Sequence, residues 1–140
     1  MSIEMTVMAD ALYVARLSPE ASRWPYWLLR RCVVPYVAAR QFLVLRRDGL
    51  PTAFAGWVLE PDTGDRPWRC DHYLPARIEI AQPGRPCVTQ VISPYLSPGA
   101  VVTAVARTLG LTAPPPWIER GADGRVVRIH NNELPERTSP

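Results

Sequence analysis

The sequence predicts an α+β domain, a mostly antiparallel sheet with helices packed on it, and three observations carry that expectation. Asp48-Gly49 stands between two runs of strand-forming residues, 41–47 and 51–59, which is a strong hairpin signal. Trp24, Trp27, Leu28 and Arg31 share one helical face, and Tyr26, Leu29, Cys32 and Val33 share the neighbouring one. The resulting apolar stripe is broad enough to lie against a sheet. Sixteen prolines in 140 residues call for short elements separated by rigid turns.

Taken in order, residues 10–17 read as a short helix ended by Ser18-Pro19. Ser22 is a candidate N-cap for the next helix, which Pro35 kinks or ends. The hairpin 41–59 follows, and 60–67 is loop. Residues 68–73 and 76–81 read as a further strand or hairpin, and 87–92 as a buried strand. Ser97-Pro98-Gly99 opens a helix that closes at Gly110, and 117–120 with 125–130 form a last hairpin around Gly124. Residues 1–132 thus make one domain and 133–140 a flexible tail. The order of elements is compatible with the acetyltransferase-like (GNAT-like) superfold, which by itself fixes no function.

Composition narrows the functional classes. A net charge of +3 permits an acidic partner, but the arginines are scattered from Arg16 to Arg137 with no run longer than two, unlike a nucleic-acid binder. Lysine is absent, as a GC-rich coding sequence would give. Cys32, Cys70 and Cys87 are odd in number and lack C-x-x-C spacing, so neither a disulfide framework nor a metal site is indicated. The first 20 residues lack a basic start and an apolar run, and no apolar stretch approaches membrane-spanning length. A cytoplasmic location follows as the expectation.

Particular motifs go further. The run S-P-E-A-S-R-W-P from Ser18 to Pro25, a helix with V-V-P, then Q-F-L-V-L, R-D-G-L-P and A-G-W resemble the RTX toxin-activating (hemolysin-activating) lysine-acyltransferases. Those proteins carry S-P-x-H-x-x-W-P, a helix ending near proline, Q-Y-x-L-L, a polar turn and x-P-V-A-Y. Q-V-I-S-P-Y-L-S-P-G-A is similar to their D-W-I-A-P-F-G segment, and Gly124 to His130 to their closing G-K-V…F-H. The resemblance covers roughly residues 10–132. It implies a GNAT-like fold, a tendency to dimerise, and transfer of a fatty acyl group from acyl carrier protein to a lysine of an RTX toxin-like protein or peptide, with no tightly bound cofactor. A homodimer is the expectation that follows, and a heterodimer with a family relative is the expectation if the chain is a silent partner.

The family's chemistry is attributed to a histidine, an asparagine and an aspartate, and here those positions fall on Ala21, Cys32 and Gln90. A different alignment, through Gly64-Asp65-Arg66-Pro67-Trp68, puts the aspartate on Asp71. The chain is therefore either an acyltransferase with an altered site or a catalytically silent relative acting as a binding partner. Cys32 is a candidate nucleophile, since thiolates exchange with thioesters, or else a small core residue. Gln90 can donate to an oxyanion but cannot act as a base, and is otherwise a satisfied buried amide. Ser22, Arg23 and Trp24 beside the helix start, and Ser97 and Gly99 with free amides at another, are candidate substrate contacts. Arg23, Arg30, Arg31 and Arg40 surround the first of these helices and suit an acidic carrier protein, or form a solvated face. His72 and His130 read as structural or exposed.

Overall fold

A computed structural model describes residues 2–60, 74 and 84–130. Helix α1 (Ile3–Leu17) is capped by Ser2, whose hydroxyl accepts from the Met5 amide. A 3-10 turn (Ala21–Arg23) leads to α2 (Tyr26–Ala39). Strands β1 (Phe42–Arg47), β2 (Leu50–Glu60) and β3 (Arg85–Ile92) precede α3 (Pro98–Thr108), then β4 (Trp117–Arg120) and β5 (Val126–His130). The expected strands at 68–73 and 76–81, Asp71, His72 and the tail 133–140 lie outside the described residues.

The five strands form one sheet in sequential order, antiparallel throughout except for the parallel pair β3–β4, which α3 connects. Asp48 and Gly49 both take positive φ, 53° and 81°, as the two-residue turn of a twisted hairpin requires. Helices α1 and α2 cover one face. Val7, Val14, Leu28, Cys32 and Tyr36 pack there on Phe54, Val58, Cys87 and Ile118. Helix α3 covers the other, with Val101, Val102 and Val105 on Ala53, Ala55, Trp57, Val88 and Trp117. The architecture is a mixed α+β domain consistent with a GNAT-like fold.

Several local expectations are corrected. Helix α1 begins at Ile3 rather than residue 10, because Val7, Ala11, Val14 and Ala15 already form a buried seam at helical spacing. Ser22 is not an N-cap. Pro25 occupies that position on α2, while Ser18 accepts from the Ala21 amide at 3.1 Å and closes the preceding turn. Pro35 does not end α2, which runs on to Ala39. The carbonyl that Pro35 leaves without its helical partner belongs to Arg31, an exposed residue of the helix. Arg40 then ends the helix in the left-handed region, its amide reaching Tyr36 and Val37. Tyr26 and Trp27, expected in the buried stripe, are 59% and 61% exposed.

A bulge in β3 decides which side chains face α2. Gly56 pairs with Gln90 and Trp57 with Val88, so Thr89 is an extra residue in the strand. The alternation of side chains slips at that point. Thr89 bonds the Tyr36 hydroxyl and Gln90 bonds Arg120, placing two consecutive polar side chains toward α2. Beyond the bulge, Val91 packs with the α3 cluster and Ile92 with the α1–α2 cluster.

Candidate active site

Parallel strands joined by a crossover helix create a crevice where they diverge, and ligands in such sheets bind beyond the carboxyl ends of the strands. Here β3 and β4 are paired only at Val88 and Trp117 among the described residues, where the Val88 amide donates to the Pro116 carbonyl at 2.9 Å. Past that point they splay. A cleft of about 80 Å³ opens in the gap, walled by Ala21 and Trp24 from the α1–α2 connection, Val91 and Ser93 from β3, and Glu119 and Arg120 from β4. By the same measure one water needs about 10–15 Å³, so the cleft has room for a few small polar groups.

Arg120 spans the gap. Its Nε donates to Gln90 Oε1 at 3.0 Å, one terminal nitrogen to the Gly124 carbonyl at 3.1 Å, and the other reaches the Thr89 carbonyl at 3.5 Å. The side chain thus does across the splay what a β-ladder does elsewhere. Gln90 is 1% exposed, and its Nε2 has no hydrogen-bond partner among the described residues. Across from this group, Trp24 Nε1 donates to the Gly121 carbonyl at 2.9 Å, fixing the turn between β4 and β5 against the α1–α2 connection.

A second polar feature reaches the cleft wall through Glu119. His130 stacks on Trp117, with ring centroids 3.8 Å apart and planes 8° from parallel, and its Nε2 is 2.9 Å from Glu119 Oε1. The β4–β5 register creates this pair, placing His130 directly opposite Trp117. An imidazole oriented by a carboxylate is a proton-accepting arrangement.

The residues expected from sequence separate into three groups. Ala21 and Trp24 line the cleft, and Gln90 stands behind it through Arg120. Cys32 lies in the core beneath, 0% exposed; burial pushes its thiol pKa up, with the Arg120 and Arg31 charges pulling the other way. Burial likewise keeps the neighbouring Tyr36 hydroxyl protonated, despite the Arg120 charge and the bond to Thr89. Ser22 and Arg23 are exposed on the turn, Ser97 caps α3 by accepting from the Ala100 amide at 3.3 Å, and Gly99 lies beside Trp117. Arg120, Glu119 and the partnership of His130 escaped the sequence reading. Their signal is a matter of strand register and not of local spacing.

Alkylation with iodoacetamide under native conditions is expected to leave Cys32 and Cys87 unmodified, and to label both after urea unfolding. Peptide mapping reads the outcome. Rapid native labelling of Cys32 would contradict its burial.

Fold and cleft together define an α+β domain with a small polar opening at a splayed parallel pair. Among curated proteins the chain is similar to the RTX-I toxin-activating lysine-acyltransferase ApxIC of Actinobacillus pleuropneumoniae, at 35% identity over 52 residues. That match takes in 37% of this chain and 30% of the relative. No protein-family model matches. Among the described residues, no helix is long and apolar enough to cross a membrane, and no three His, Cys, Asp or Glu side chains are grouped to hold a metal ion.

Proposed function

We propose that the chain is an acyltransferase of the toxin-activating type, moving an acyl group from acyl carrier protein to a lysine amine in the cleft between β3 and β4. The observation that carries the reading is the splayed pair with Glu119 and Arg120 on the same opening, Glu119 being backed by His130. The partial likeness to a toxin-activating acyltransferase supports the reaction class.

In this reading the acceptor ammonium gives a proton to the Glu119–His130 pair, because only the free amine is nucleophilic. The amine attacks the thioester carbonyl directly, and Arg120 stabilises the oxyanion that forms. The new C–N bond is retained, the C–S bond breaks, and the second amine proton goes to the departing thiolate. Gln90 is a positioning residue that fixes the Arg120 fork. Cys32 forms no acyl-enzyme; it packs under the site. Ala21, where the resembling family has histidine, leaves space that the Glu119–His130 pair serves from the opposite wall.

The substitution of all three family positions favours a second reading, a catalytically silent relative that binds a partner. Incubation with acyl-loaded carrier protein and a lysine-containing acceptor, followed by intact mass, separates the two. Transfer by the wild type is expected, with Glu119→Gln reducing it about a hundredfold and Cys32→Ser leaving its rate nearly intact. If no acyl group moves from the carrier, the enzyme reading is lost and the binding reading takes its place.

A further inference from the structure

Helix α2 has two faces of opposite character. Leu28, Leu29, Cys32, Val33, Tyr36 and Val37 are spent on the core. The outer face exposes Tyr26, Trp27 and Val34, with Arg30 and Arg31 exposed among them and Arg23 exposed on the turn just before. The Arg30 guanidinium stands over the Tyr26 ring, 6.0 Å from its centroid, so the cation and the ring form one preorganised element. Residues 26–39 include no acidic side chain. Tryptophan, tyrosine and arginine are the residue types that dominate binding energy at protein interfaces.

Position adds a second argument. Trp24, on the cleft wall, is two residues from the start of α2, so the first turn of the helix begins close to the cleft. We propose that the outer face of α2 is the docking surface for an acidic carrier protein that presents its acyl group to the cleft, an inference that rests on the acyltransferase reading above. Arginine forks pair with carboxylates in two-point contacts, and Trp27 supplies the apolar anchor. The same charges repel a lysine-bearing acceptor, which enters instead past Glu119. A lipid surface fits less well, because the apolar face that would sink into a bilayer is turned into the core.

The test titrates purified acyl carrier protein into the full chain and its variants, with circular dichroism as the check on folding. Arg30→Glu/Arg31→Glu and Trp27→Ala are each expected to weaken binding about tenfold or more. Wild-type affinity is expected to fall as salt is raised. Transfer from a small acyl thioester without carrier should stay at the wild-type rate in both variants. Unchanged carrier binding in both variants overturns the surface, as does a loss confined to vesicles containing phosphatidylglycerol. The two readings fail differently. A wild type that binds carrier through this face yet transfers nothing keeps the surface and sinks the transfer reaction, whereas carrier-dependent transfer at full rate in the charge-reversed variant does the reverse.

Discussion

Arg120→Met is expected to lower stability by about 4 kcal/mol and, on the proposed reaction, to abolish acyl transfer even where the chain remains folded. The guanidinium bonds Gln90 and Gly124 and reaches Thr89 while only 9% exposed. Hydrogen bonds to a charged donor contribute about 1.5–3 kcal/mol each, and an acceptor left buried without a partner adds about 1–3 kcal/mol of cost. Methionine matches the volume and supplies none of the donors. Gln90, whose Nε2 already has no partner among the described residues, would then lose the bond at its other end as well. Arg120→Lys is expected to recover less than half of the loss, because one ammonium cannot reach two strands and a turn together. Urea denaturation measures the first quantity and a transfer assay the second. A methionine variant within about 1 kcal/mol of wild type would show that the strut contributes little.

Gly56→Ala is expected to cost about 3 kcal/mol, a large effect for one methyl group. A Cβ at this position would stand 2.4 Å from Tyr36 Cγ and 2.6 Å from Cδ1, so the ring lies flat on the bare backbone of β2. Tyr36 has nowhere to withdraw. It is 2% exposed and tied by its hydroxyl to Thr89, so relief requires α2 to lift or that bond to break. A double-mutant cycle isolates the cause. In a Tyr36→Leu background the alanine should cost less than about 1 kcal/mol, and an equal cost in both backgrounds would place the strain elsewhere.

Elements set by local chemistry were legible in the sequence. Asp48-Gly49, Ser97 as the α3 cap, Gly110 and Gly124 at positive φ, and the last three strands all follow from residues within a few positions of one another. The start of α1 was hidden because its buried seam uses valine and alanine, whose weak pattern is overlooked beside leucine and tryptophan. Helix α2 is apolar on several sides, and only the shape of the sheet decides that Leu28 and Cys32 go in while Tyr26 and Trp27 stay out. The site was the least legible part. Arg120 meets Gln90 across 30 residues, and Glu119 meets His130 through strand register. The bulge that turns Gln90 toward Arg120 lies opposite Gly56, a residue whose role depends on a ring twenty positions earlier.

The last two strands are gripped in an unusual manner. A backbone ladder would fix neighbouring strands about 4.8 Å apart whatever their side chains. At the splay, the β4–β5 unit is instead held by the indole of Trp24 on Gly121, the fork of Arg120 and the methyl groups of Leu28 against Gly124. Side chains change by single mutations and ladders do not. The width of the slot is therefore a dimension that substitutions at Trp24, Leu28 or Arg120 would change.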